Sequence, residues 1–147
     1  MKLKIGWIGK TKDSAIQSLT DEYLKRISRY AEVEGLALPD EAALLKMGHK
    51  SGLRPAHGIV LLDSGGKQLS SEEFAQFLQN HQDRSSQPLI LAVGAADGFS
   101  DRARKTASAV LSLGKMTLAH ELARVVLLEQ VYRAFTILKG HPYHTGH

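Results

Sequence analysis

Gly94, Ala95, Ala96, Asp97 and Gly98 follow the apolar run Pro88 to Val93 and precede Ser100, so small residues occupy the point where a strand turns into a helix. Small side chains there let a ligand reach backbone N–H and C=O groups, which can hold an adenine or a carboxylate. A plain strand-to-helix turn uses the same residues. The spacing is neither G-x-G-x-x-G nor G-x-x-x-x-G-K-[ST], which argues against a dinucleotide or triphosphate cradle. Leu113, Gly114, Lys115, Met116, Thr117 and Leu118 form a second such connection and a second candidate wall. Two loops of this kind make a cleft only if their strands lie close together in the sheet.

The C-terminal stretch Lys139 to His147 gathers His141, Tyr143, His144 and His147 around Pro142, which stops a helix. Tyr143 and the imidazoles can stack on a base or bond its edge, and a frayed tail is the competing account. No cysteine or carboxylate accompanies these histidines, so no metal site is expected. His120, beside the second loop, can shape a pocket, donate to an RNA phosphate or cap a helix. Glu121 and Arg124 stand three apart, and Glu129 and Arg133 four apart, at spacings that pair within a helix. Glu129 interrupts the apolar run Val125 to Val131, which makes its pairing with Arg133 structurally important. Ser100 lies in no G-x-S-x-G, and no H-E-x-x-H occurs, so no hydrolase constellation is present. What remains is chemistry that asks side chains mainly to bind and to orient.

The elements that must position these groups follow from hydrophobic period. Leu3, Ile5 and Trp7 alternate with Lys2, Lys4 and Gly6, as in a strand over Lys2 to Ile8. Ile16, Leu19, Tyr23, Ile27 and Tyr30 recur at helical spacing behind the caps Asp13 and Ser14. A short strand at Leu36 to Leu38 stops at Pro39, and a brief helix passes through Leu44 and Leu45. Gly58 to Leu62 is a buried strand that runs into a turn at Asp63, Ser64, Gly65 and Gly66. A helix starts at Ser70 to Glu73, a strand covers Pro88 to Val93, and a helix begins near Ser100 or Asp101. Ala109 to Leu113 is a further strand, and His120 to Leu138 a long helix whose apolar positions must be covered on more than one side. Strands alternating with helices give an α/β fold with a mostly parallel sheet, and ligands of such sheets bind beyond the strands' carboxyl ends, here after Leu62, Val93 and Leu113.

A chain of 147 residues suits one domain, residues 1–147. The net charge of +4 and pI of about 9.4 favour a polyanionic partner only weakly. The absence of cysteine removes disulfides, thiolate metal sites and a cysteine nucleophile. The amino end lacks the long apolar region and cleavage site of a signal peptide. Apolar runs fall far short of the roughly 20 residues that span a bilayer. The expectation is a soluble cytoplasmic protein with no membrane association.

Read together, Leu89 to Ser100, Leu111 to His120, Glu129 to Ala134 and His141 to His144 resemble, in order and spacing, the RlmH family. These are bacterial methyltransferases of the SPOUT superfamily that act on pseudouridine in large-subunit ribosomal RNA. Ile5 to Lys10 and Val60 to Asp63 look like the family's first and central strands, so the match covers essentially the whole chain. The resemblance implies an α/β fold with a C-terminal trefoil knot, a homodimer, S-adenosylmethionine as donor, and N3-methylation of a pseudouridine in 23S rRNA, with the ribosome as the setting. It further implies that Leu62, Gly94 and Leu113 to Leu118 contact the cofactor. By the same resemblance Arg133, His141, Tyr143 and His144 are candidates for organising the RNA and the reacting base; His144 or His141 can accept the N3 proton if the tail folds over the pocket, and water or an uncatalysed ionisation is equally allowed. The chain has Ala95 where members commonly carry a second glycine, and its Pro39 to Gly58 stretch is shorter than in many members. A non-catalytic ribosome-binding or assembly factor on the same fold is the main rival, and a flavodoxin-like nucleotide-binding enzyme a more remote one.

Overall fold

The computed structural model describes residues 1–145. Ten elements alternate along the described residues: β1 (Lys2–Ile8), α1 (Ser14–Ile27), β2 (Glu32–Leu38), α2 (Glu41–Lys46), β3 (Gly58–Gln68), α3 (Ser71–Arg84), β4 (Leu89–Val93), α4 (Asp101–Thr106), β5 (Ala109–Ser112) and α5 (His120–Leu138). The strands form one sheet in the order β2-β1-β4-β3-β5, and every pairing is parallel.

Period two sorts the strand residues between two apolar layers. Val60, Leu62, Leu89, Leu91 and Val93 face α1, α3 and α5 and pack with Ile27, Phe74, Leu78, Leu127 and Leu128. Ile59, Leu61, Ile90 and Ala92 face α2 and α4 and pack with Leu44, Met47 and Ala103. β4 is buried along its whole length because it has a strand on either side and helices on both faces. α5 is wedged against α1, α3 and the sheet, which accounts for its broad apolar surface. α3 opens with a capping box: the Ser70 hydroxyl accepts the Glu73 N–H, and the Glu73 carboxylate accepts the Ser70 N–H. Such a cap contributes about 1 kcal/mol.

Four local expectations need correction. β2 starts at Glu32 rather than near Leu36, because the segment pairs with β1 along its full length from Lys2↔Glu32 to Ile8↔Leu38. Tyr30 lies beyond the end of α1 and stacks on Phe135, while Leu19 is 43% exposed and is no core residue. Glu121 and Arg124 form no ion pair among the described residues. The Glu121 carboxylate accepts the Lys12 N–H at 2.9 Å, and Arg124 donates to the Thr11 hydroxyl at 2.6 Å and lies 4.0 Å over the Trp7 ring, where burial lowers its pKa. Trp7 is buried and its indole N–H has no hydrogen-bond partner among the described residues.

The fourth correction concerns Asp63 to Gly66. They do not end β3 but form an excursion within it: Leu62 and Lys67 both align with Leu111 of β5. Gly66 allows this, since a Cβ there would lie 2.6–2.8 Å from backbone atoms of Val110 and Leu111. Backbone at that distance cannot rotate away as a side chain can. Gly66→Ala should therefore cost about 1–3 kcal/mol of stability, read as a lowered Tm in thermal denaturation. An unchanged Tm would mean that the two strands separate there without cost.

Candidate functional site: a cavity at the strand ends

The carboxyl ends of β3, β4 and β5 enclose a cavity of about 310 Å³. β4 and β5 are not neighbours; each borders β3, so the end of β3 forms the cavity's centre and the two loops its sides. Leu62, Gly94, Leu113, Gly114, Met116, Thr117 and Leu118 all line it, as does His120. Lys115 does not, and of the expected cofactor residues it alone is left out. Its loop turns so that the flanking residues face inward.

The loop after β4 is a closed turn. Gly98 donates its N–H to the Ala95 carbonyl at 2.9 Å and has φ +75°, a left-handed conformation that favours glycine. A Cβ on Gly94 would meet the Phe99 ring at 3.2 Å and the Gly98 carbonyl carbon at 3.3 Å. Phe99 is buried beneath the turn. Ser100 caps α4 by accepting the Ala103 N–H at 3.1 Å, and donates its own N–H and hydroxyl to the Glu41 carboxylate at 2.8 and 2.6 Å. The turn is thus anchored to α2 at its far end.

On the opposite side, Gly114 has φ +140° and no atom within 4 Å of an ideal Cβ, so it supplies conformation rather than close packing. The Ser112 hydroxyl accepts the Gly114 N–H at 3.1 Å and donates to the Gly114 carbonyl at 2.9 Å, which fixes the start of this loop. Met116 is 86% exposed and Leu118 38%, so the cavity has an open apolar rim. His120 begins α5 without capping it: the N-cap is Ala119, and no side chain bonds there.

Two charged residues of this cavity are not marked as site residues by the sequence. Asp63, carried over the cavity by the β3 excursion, accepts the Gly65 N–H at 3.2 Å and lies 3.5 Å from Arg104, its side chain 10% exposed. Arg104 also donates to the Phe99 carbonyl at 2.7 Å and pairs with Asp101, and these acidic neighbours raise its pKa. In the sequence Asp63 has the character of a turn residue, and Arg104 carries only its i,i+3 spacing from Asp101.

The C-terminal tail forms a second, separate cluster. Glu129 and Arg133 pair at 2.7 Å as their spacing implies. Arg133 also lies 4.9 Å from the Tyr143 ring and donates to Nδ1 of His144 at 2.9 Å. Nε2 of His144 meets the Glu72 carboxylate of α3 at 2.6 Å. Since guanidinium only donates, His144 Nδ1 is unprotonated and Nε2 carries the hydrogen. Both ring nitrogens are therefore engaged, and in this arrangement His144 has no free site for a proton. The hydrogen bond from His144 is also the main reason that the Glu72 carboxyl is held below its ordinary pKa.

Tyr143 packs edge-on against Tyr132, with centroids 4.7 Å apart, and burial pushes its phenol up to about 12, so it stays neutral. His141 is exposed; its N–H donates to Thr136, and its Nδ1 accepts the Tyr143 N–H at 3.2 Å. Through residue 145 the tail is docked, not frayed, and His147 lies outside the described residues. Arg133, His141, Tyr143 and His144 do come together, but none of them lines the cavity at the strand ends.

Known proteins resemble this arrangement along its whole length. A family model described as "Predicted SPOUT methyltransferase" matches residues 1–144. The chain is 60% identical to the ribosomal RNA large subunit methyltransferase H of Koribacter versatilis over 147 residues, all of both chains. It is 42% identical to the protein of the same name from Geotalea daltonii, covering 98% of this chain and 99% of that one. Among solved structures it is similar to the SpoU methyltransferase AviRb of Streptomyces viridochromogenes in complex with the cofactor AdoMet. There the TM-score is 0.54 at 13% identity, over 90% of this chain and 57% of the other. A tRNA methyltransferase from Aquifex aeolicus matches at TM-score 0.52 and 16% identity, over 90% of this chain and 70% of that one. These structural likenesses concern the fold.

Proposed function

The chain belongs to the SPOUT methyltransferase family, within the group of ribosomal RNA large subunit methyltransferase H proteins, and from that premise we propose that it methylates large-subunit ribosomal RNA with S-adenosylmethionine as donor. The observation that carries this reading is the convergence of Leu62, Gly94 and the loop from Leu113 to Leu118 on one cavity at the ends of β3, β4 and β5. The cavity suits the cofactor in kind. It offers backbone at Gly94 and Gly114, apolar walls at Leu62 and Leu113 for an adenine, and an anchored carboxylate at Asp63 for a group that is positively charged or rich in hydroxyls.

When bound, S-adenosylmethionine supplies an already activated methyl group on a sulfonium, so the barrier falls chiefly through alignment. Leu62, Gly94 and the loop from Leu113 to Leu118 would hold the donor and shield it from bulk water. At the pseudouridine that the family resemblance names, the bound donor would give its methyl group to ring N3, with the carbon–sulfur bonding pair left on sulfur and the N3 proton released. With the one lone pair of the neutral His144 ring taken by Arg133, water is the simplest acceptor for that proton unless His144 first parts from Arg133.

The reading extends to a homodimer in the cytoplasm, acting on 23S rRNA within the ribosome, with the chain forming a single domain and a knotted C-terminal crossing. Exposed Leu19 on α1 and Leu122 on α5, which pack against each other as helices, give a second copy an apolar surface to cover. Incubating the purified protein with labelled S-adenosylmethionine and large ribosomal subunits, followed by mass spectrometry of the rRNA nucleosides, tests the proposal. One new methylated pseudouridine per subunit is expected. Tight binding to the subunit without transfer would instead favour an assembly factor.

A further inference from the structure

A second cavity, of about 290 Å³, lies between the first turn of α3 and the middle of α5. It shares Leu62, Ser112 and Leu113 with the cavity at the strand ends, so the two are separated by a common wall. Phe74 of α3 and Val126 of α5 give it apolar flanks suited to the faces of a flat ring. At its far side the Ser71 hydroxyl donates to Oε1 of Gln130 at 2.6 Å. Nε2 of Gln130 makes no hydrogen bond among the described residues, and Oε1 keeps a second lone pair. Ser71 and Gln130 each adjoin a member of the tail cluster, Glu72 and Glu129. The second cavity therefore shares a wall with the cofactor side and is flanked by α3 and α5, the two helices that carry Glu72 and Arg133.

Resting on the methyltransferase reading above, we infer that this second cavity receives the acceptor base and that the Gln130 carboxamide, held by Ser71, distinguishes pseudouridine from uridine. In pseudouridine the sugar is attached through carbon, so ring N1 carries a hydrogen that uridine lacks. N1–H and C2=O then form an adjacent donor and acceptor. A carboxamide matches them with its oxygen and its N–H in the paired manner by which Asn and Gln read adenine. N3 flanks C2 on the other side, so a base held this way turns N3 away from Gln130 and toward the wall shared with the cofactor. Uridine in the same position has no N–H to offer the second lone pair of the Gln130 oxygen, which keeps only the Ser71 hydroxyl, and the hydrogen bond lost is what makes a site of this kind selective. Bulk and hydrophobicity alone could not separate two bases of equal size.

The test uses the full-length protein and two preparations of large ribosomal subunits, one carrying the target as pseudouridine and one, from cells lacking the relevant synthase, carrying it as uridine. The wild-type protein should favour pseudouridine. Gln130→Met, of similar volume, should lower kcat/KM on pseudouridine roughly 10- to 100-fold and lower it clearly less on uridine, which shares only the C2=O contact, so that the preference shrinks. Calorimetry should give the same S-adenosylmethionine Kd for both proteins, because Gln130 lines only the second cavity. Ser71→Ala should act in the same direction with a smaller effect, and it serves as the readout if the methionine variant melts early. A preserved preference, or equal loss on both substrates with cofactor binding intact, would overturn the assignment of Gln130. A wild-type protein that transfers no methyl to either subunit would overturn the methyltransferase reading itself, and this inference with it.

Discussion

Gly94→Val is expected to weaken S-adenosylmethionine binding roughly 10- to 100-fold, corresponding to an overpacking cost of about 1–3 kcal/mol. The Cβ alone would press on the Phe99 ring at 3.2 Å and on the Gly98 backbone at 3.3 Å. Neither yields easily: Phe99 is buried, and Gly98 is fixed by its hydrogen bond to Ala95. The γ-methyl groups add to the conflict, and the turn must lift into the cavity it borders. Isothermal titration calorimetry gives the affinity, and Gly94→Ala should fall between wild type and valine. Unaltered affinity in the valine variant would remove the Gly94 turn from the cofactor site.

Truncation after Gly140 should have the complementary result: cofactor affinity within about twofold of wild type, and methylation of the ribosomal subunit reduced at least about 100-fold. No residue from His141 to Thr145 lines the strand-end cavity, so the cofactor should bind as before. What disappears is the ordering of Arg133, which loses both the Tyr143 ring and His144. Some stability is lost as well, since the Tyr132–Tyr143 contact is worth about 0.5–1.5 kcal/mol. A thermal melt separates that loss from the catalytic one. Turnover at the wild-type rate would show that the tail is only a structural cover for α5.

The parts of this molecule governed by neighbouring residues could be read from sequence. The strand from Pro88 to Val93, the turn behind it and the Ser100 cap are set by apolar runs, small residues and a hydroxyl at a fixed offset, all local rules. So is the Glu129–Arg133 pair. Where a distant segment offered a better partner, local rules lost. Arg124 stands at pairing distance from Glu121, yet Thr11 and Trp7, more than 100 residues earlier, take it, and Glu121 turns to the backbone of Lys12. The excursion of β3 is another such case. Asp63 to Gly66 have the composition of a turn, and only the backbone of β5 lying against Gly66 keeps the chain in the sheet. The convergence of three loops depended on strand order, which hydrophobic period does not encode. The docking of His144 on Glu72 joins residues 72 positions apart and leaves no mark in either neighbourhood.

The contact of Arg124 with Trp7 also has a practical use. Trp7 is the only tryptophan in the chain, and its indole sits at the end of β1 beneath a guanidinium carried by α5. Tryptophan emission, excited at wavelengths that the four tyrosines do not absorb, therefore comes from a single fluorophore at one seam of the molecule. Its emission senses whether the last helix is seated on the first strand, and so gives an optical record of assembly between the two ends of the chain without any attached label.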